Sequence, residues 1–349
     1  MRLIKKIELK NLKLNNFSGP FQIWFVVFLF LFLSAFSGTI VCAQSPLFTI
    51  VEKGNSIKDS SYYDICRVGN DEFWAIGKKG IITKFGSNGV CEKEFYPNCG
   101  IDLLNMVKMD DDNYLLCGDK GIIYQYNKAA RNWKIIKVKG YENCCFYSIC
   151  NVNNKIAFIS GGRSKIANSQ RVVPFGFILK TEDGGSTWQK VYNSIINMVW
   201  SVKFNPENNK IFALIYSPVK SGLLSSDDYG NSWELEGKKF KGLFHDFKIE
   251  EENILLAGGK NGRYKKNGTV IGAKSSYHNK ATGIFWDIEA GKYLTLASGS
   301  NGDLLVKNNS GPWQLLQTPL NNNLYEICLI DEKSAFLVGN NKTIIRVDF

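Results

Sequence analysis

Six short pairs along the chain join a ring to a polar or acidic residue: Tyr63-Asp64, Tyr147-Ser148, Trp200-Ser201, His245-Asp246, Trp286-Asp287 and Tyr325-Glu326. Each pair stands just before an apolar run. Aromatic rings stack on sugars or on peptide side chains, and neighbouring acids accept hydroxyl or amine protons. Brought together, these pairs make a binding site. Two of the acids facing each other, Asp246 with Asp287 or Glu326, are also compatible with glycoside hydrolysis, which needs one carboxyl as acid and a second as base or nucleophile. The structural alternative is that the rings wedge between elements while the acids cap strand ends. A second candidate set is basic: Arg163, Lys165 and Arg171, within Gly162–Pro174. Long segments on a rigid scaffold are often recognition elements.

The elements that position these residues recur along the chain. Phe73-Trp-Ala-Ile-Gly77 precedes Gly80-Ile-Ile, Tyr114-Leu-Leu-Cys-Gly118 precedes Gly121-Ile-Ile, and Ala335-Phe-Leu-Val-Gly339 precedes Thr343-Ile-Ile. Leu255–Gly258 and Leu294–Gly299 open similar stretches. A period of about 40–50 residues signals stacked units. Each unit reads as four short strands, rich in β-branched and aromatic residues and bounded by Gly, Asn and Asp. Units start near Tyr62, Leu103, Cys145, Met198, Phe244, Gly283 and Leu324. The second has Leu104-Asn105 in place of a ring and its acid. The last ends at Phe349 without a fourth strand, and Leu47–Val51 is an orphan strand near the start. The expectation is an all-β, seven-bladed β-propeller over residues 44–349, its N-terminal strand completing the last blade and removing an open edge. If the first strand of each unit starts at the channel mouth, the six pairs form a ring there. The Gly162–Pro174 stretch interrupts the third unit where other units need only a short turn.

An eight-residue pattern occurs twice: Thr181-Glu-Asp183-Gly-Gly185-Ser-Thr187-Trp188 and Ser226-Asp-Asp228-Tyr-Gly230-Asn-Ser232-Trp233. Both fit Ser/Thr-x-Asp-x-Gly-x-Ser/Thr-Trp. The pattern suits a tight hairpin between outer strands: the aspartate accepts turn amides, the glycine takes a positive φ, and the tryptophan packs beside the sheet. It resembles the Asp-box, or BNR repeat, of sialidase-like propellers. With the Gly77–Ile82, Gly118–Ile123 and Gly339–Ile345 stretches, the chain resembles the photosystem II stability/assembly factor-like propellers along its mature length. The resemblance implies a scaffold role for the box residues, away from the ligand face, and an assembly or adhesion role for the protein.

Sialidase chemistry would need three converging arginines, a tyrosine nucleophile with a glutamate, and an acid. The mature chain has six arginines and lacks the early Phe/Tyr-Arg-Ile-Pro motif. Gly-x-Ser-x-Gly, P-loop and His-Glu-x-x-His patterns are also missing. Two histidines, His245 and His278, and no Cys-x-x-Cys pair argue against zinc. The expected function is therefore non-catalytic binding without a cofactor, with a protein as partner. A glycan-binding or glycoside-hydrolysing propeller is the alternative.

Residues 1–43 read as a targeting segment: Arg2, Lys5, Lys6, Lys10 and Lys13, then the apolar Ile23–Leu33, then Val41-Cys42-Ala43. Export to the periplasm, the cell surface or the medium follows. A membrane contact is expected only if the segment stays uncleaved as an anchor. The net charge is +11, with lysines and Arg263 clustered over residues 260–280. No nucleic-acid motif accompanies that cluster, so nucleic acid is not an expected partner. Cys91 and Cys99 have loop-like settings compatible with a disulfide. Cys66, Cys150 and Cys328 hold equivalent positions and read as small buried residues.

Overall fold

The computed structural model describes residues 46–52, 60–95, 100–166, 172–217, 220–250, 253–258, 263–266, 269–272, 284–308 and 311–349. Residues 1–43, Cys99 and Arg171 lie outside them. Among the described residues, the regular elements are β-strands apart from three 3-10 turns. They pair into seven antiparallel sheets. The first comprises Tyr62–Gly69, Glu72–Gly77, Ile82–Phe85 and Cys91–Phe95. The seventh takes Leu324–Leu329, Ser334–Gly339 and Thr343–Asp348 from the chain's end and Leu47–Glu52 from its start, with Leu47 opposite Asp348 and Ile50 opposite Ile345.

The first strand of each sheet packs on the first strands of both neighbouring sheets, and the seventh returns to the first. These inner strands are Tyr62–Gly69, Leu103–Lys108, Cys145–Asn151, Met198–Asn205, Phe244–Glu250, Phe285–Ala290 and Leu324–Leu329. The architecture is a β-propeller. Its core lies between sheets, which explains why the second strands read as unbroken apolar runs: both faces are buried. In Glu72–Gly77, Trp74 and Ile76 meet Tyr114 and Leu116 of the second sheet, while Phe73 and Ala75 meet Phe336 and Val338 of the seventh.

Close approach to the inner strand demands glycine at the end of these runs. A Cβ on Gly118 would lie 1.9 Å from the Asp102 carbonyl oxygen.

The two eight-residue turns have one hydrogen-bond scheme. Asp183 Oδ1 accepts from Thr181 Oγ1 and the Thr187 amide, both at 2.8 Å, and Oδ2 accepts from Thr187 Oγ1 at 2.6 Å. Asp228 repeats this with Ser226 and Ser232. These donors hold both carboxyls below the usual range, Asp228 at about 2. The Trp188 and Trp233 indoles donate to the Gly185 and Gly230 carbonyls. Gly185 and Gly230 have φ of 93° and 84°, and each abuts the preceding sheet, at Leu115 and Phe158. The turns thus tie one sheet to the next.

In the Gly162–Pro174 stretch, residues 167–171 lie outside the described residues. Its flanks are strand: Ala157–Ile166 and Val172–Thr181 pair continuously from Ala157↔Thr181 to Ile166↔Val172. The ladder simply continues beyond the start of its inner strand, where Cys145 faces Gly162.

Candidate binding site at the channel mouth

All seven inner strands carry a register shift near their start: between Tyr62 and Asp64, Leu103 and Asn105, Phe146 and Ser148, Val199 and Ser201, Phe244 and Asp246, Phe285 and Asp287, and Leu324 and Glu326. The extra residue is Tyr63, Leu104, Tyr147, Trp200, His245, Trp286 or Tyr325. A bulge leaves one residue out of the ladder and re-aims its side chain. These residues all line a central cavity of about 890 Å³.

The bulge places the rings in mutual contact. Tyr63 lies 5.9 Å from Tyr325 by ring centroids, Tyr325 5.6 Å from Trp286, and Trp286 4.5 Å from His245. His245 is 5.4 Å from Trp200, which stacks on Tyr147 at 4.8 Å. Six rings therefore form a continuous arc, open only at Leu104. Tilted and edge-to-face pairs of this kind are favoured by the ring quadrupoles.

The polar partner at each following position belongs to a second layer. A bulge frees backbone amides from the ladder, and the preceding sheet captures them. Asp64 Oδ2 accepts the Met106 amide at 2.6 Å while Oδ1 accepts its own strand's Ile65 amide at 2.8 Å. Asn105 does the same for Ile149, Ser148 for Val202, and Asp287 for Ile327. Ser201 donates to Asp246 instead. Most of these polar residues are thus latches between sheets, and the rings are what they present to the cavity.

Charge accumulates in this layer. Lys203 Nζ meets Asp246 Oδ2 at 2.6 Å, and Lys248 Nζ meets Glu289 Oε1 at 2.5 Å. Burial opposes the Lys203 charge, but the carboxylates of Asp246, Asp287, Glu289 and Glu326 outweigh it and raise its pKa. Burial pushes Asp64 up to about 7 despite its amide donors. Burial, then neighbouring carboxylates, hold Asp287 and Glu326 well above the usual range. Burial also lowers His245 to about 4, so its imidazole is neutral at neutral pH.

The structure thus brings Tyr63, Asp64, Tyr147, Trp200, His245, Asp246, Trp286, Asp287, Tyr325 and Glu326 around one cavity and its supporting layer. Of the basic set, Arg163 alone has a described side chain, one residue after Gly162, where an added Cβ would lie 3.4 Å from the Tyr147 ring. Arg163 lies over the Phe175 ring at 5.3 Å on the extended hairpin; Arg171 and the Lys165 side chain lie outside the description. Three residues were missed from sequence: Lys203, Asp102 and Asp119. Asp102 accepts from the Tyr63 hydroxyl at 3.4 Å and the Lys79 amide at 2.9 Å, and Asp119 accepts from the Cys145 thiol at 3.0 Å. Both acids flank the gap at Leu104. Their position beside the glycine turn, at Leu103 and Gly118, is the signal that would have found them.

No protein-family model matches the chain, and no curated protein is similar to it in sequence. Solved structures are similar in fold. A YCF48 bound to D1 peptide is 14% identical with a TM-score of 0.66, over 87% of this chain and 95% of that one. YCF48 from Cyanidioschyzon merolae is 13% identical with a TM-score of 0.66, over 86% and 98%. Virginiamycin B lyase from Staphylococcus aureus is 12% identical with a TM-score of 0.62, over 87% and 100%. At such identities the likeness establishes the fold, a β-propeller, and leaves function to the site.

Proposed function

We propose that this chain is an exported, seven-bladed propeller of the Asp-box type that performs no chemistry and binds a protein partner at the channel mouth, in an assembly, scaffold or adhesion role. The observation that carries the reading is the arc of six touching rings at bulge positions. Rigid aromatic surface beside a cavity is the composition of protein-binding hot spots. Asp64 and Asp287 spend oxygens on backbone amides, which favours a latch over a catalytic acid. That a YCF48 of similar fold holds a peptide supports a polypeptide ligand. Export rests on the basic and apolar character of residues 1–43.

The test is affinity capture by the mature protein from its own cell-envelope extract, alongside a Trp200→Ala/Trp286→Ala variant shown to be folded. A protein retained by the first and lost by the second supports the reading. Equal retention by both sinks it. Retention of glycan alone, with release of sugar, would favour the glycosidase alternative.

A further inference from the structure

The arc contains a buried group with nothing to bond to. His245 is 8% exposed, lines the cavity, and sits between Trp200 and Trp286. Neither of its ring nitrogens meets a hydrogen-bond partner among the described residues. Buried polar atoms are nearly always paired, so an orphan imidazole in a cavity wall needs an explanation. Being neutral, it offers one lone pair and one N–H.

Charge around the cavity points the same way. Asp64, Asp246, Glu289 and Glu326 line it. Lys203 is engaged by Asp246 and Lys248 by Glu289, while Arg67 donates to the Ile330 carbonyl. Glu326 therefore stands among Asp287, Asp64 and Asp246 with Lys203 as a shared counter-ion. At the rim, Asp102 and Asp119 add acids where the arc opens. An ammonium or guanidinium entering beneath the rings would supply the counter-ion that lets Glu326 ionise, and aromatic faces attract the same cations. Exposed lysines on the surrounding turns, Lys79 and Lys120, disfavour a ligand that is basic along its length.

We propose that the mouth takes one isolated lysine or arginine side chain of a polypeptide. Its cation rests on the faces of Trp200, Trp286 and Tyr325 and is aimed at Glu326. Entry of the cation between Trp200 and Trp286 brings it to His245, whose ring nitrogens are otherwise buried and unpaired among the described residues. This rests on the reading of the mouth as the protein-binding site and specifies the anchor.

The experiment titrates the mature protein with four dodecapeptides of one Gly/Ser frame, differing in a single central Lys, Arg, Glu or Leu. Quenching of tryptophan fluorescence is followed up to millimolar peptide. The Lys and Arg peptides should bind and the Glu and Leu peptides should not. Glu326→Gln should weaken the Lys peptide about tenfold, and His245→Phe, which keeps the ring, should weaken it several-fold. Melting of both variants at or above the wild-type temperature separates lost binding from lost folding. Binding of the Leu or Glu peptide as tight as the Lys peptide overturns the proposal, as does indifference to both substitutions. If no peptide binds but envelope capture remains dependent on Trp200 and Trp286, the cationic anchor is wrong and the mouth stands. If capture also fails, both readings fall.

Discussion

Asp64 offers a test in which the latch and the charge separate. Its carboxyl accepts the Ile65 and Met106 amides, and both residues are 5% exposed. Removing the acceptor in Asp64→Ala orphans two buried amides at about 1–3 kcal/mol each. With an unfolding entropy of ~2.1 cal/mol/K per residue over roughly 300 residues, 1 kcal/mol moves Tm by about 1.6 °C. At pH 4, where the folded carboxyl keeps its proton, the variant should melt about 3–10 °C lower. Asp64→Asn should behave differently, because Asn105 already fills the equivalent latch in the next sheet with its amide oxygen on Ile149.

The pH dependence then isolates the charge. Burial raises the folded Asp64 pKa from 3.8 to about 7. The folded state holds its proton more tightly than the unfolded state, so stability is present below pH 3.8 and is lost as pH rises towards 7. A shift of this size corresponds to about 4 kcal/mol, or about 6 °C. Asparagine has no such loss. Relative to wild type, Asp64→Asn should gain about 6 °C between pH 4 and pH 8 in calorimetric melts. The reasoning is refuted if the two proteins track each other across that range, or if Asn melts as low as Ala.

Three further outcomes follow from the same geometry. Deleting residues 47–51 removes the outer strand of the seventh sheet and bares the edge at Thr343–Asp348, so Tm should drop markedly; an unchanged melt would show that the strand does not close the fold. Gly118→Ala places a methyl group 1.9 Å from the Asp102 carbonyl oxygen, and overpacking that only backbone movement can relieve should cost about 3 kcal/mol or more, read by urea denaturation. Cys150 and Cys328 are half-buried on the cavity wall, against the expectation of fully buried residues, and burial still pushes both thiols up to about 12, so both should react slowly with a thiol reagent at pH 8 until the protein is unfolded; labelling of either native thiol as fast as in urea would contradict the raised pKa.

The fold was legible because its period is written in side chains that have no alternative. Strands buried on both faces must be apolar throughout, so Phe73–Ile76, Tyr114–Cys117 and Ala335–Val338 announce themselves. Inner-strand starts at Tyr62, Leu103, Cys145, Met198, Phe244 and Leu324 coincide with the units read from sequence; the sixth begins at Phe285, slightly after Gly283. The ring–acid register was visible because one bulge recurs in every inner strand. What the register hid was partnership. Asp64 bonds Met106, a unit away, and periodicity gives no sign that an acid beside a ring will capture a neighbour's amide. Lys203 looks like any alternating strand residue in Val202-Lys203-Phe204, and only ring closure surrounds it with acids. Asp102 and Asp119 sit in turns, outside the repeated pairs. The third hairpin escaped because a ladder that outgrows its neighbours has the same composition as a loop.

On the proposed reading the mouth of the channel, and no other face, meets a polypeptide partner. Site-specific photocrosslinking tests it most directly, with benzoylphenylalanine placed at Tyr325 in the arc and, separately, at Ile135, which is 50% exposed on an outer strand. In envelope extract the Tyr325 probe should form one discrete protein adduct, suppressed by Trp200→Ala/Trp286→Ala, and the Ile135 probe none. A discrete adduct at Ile135 with nothing at Tyr325 would contradict the account.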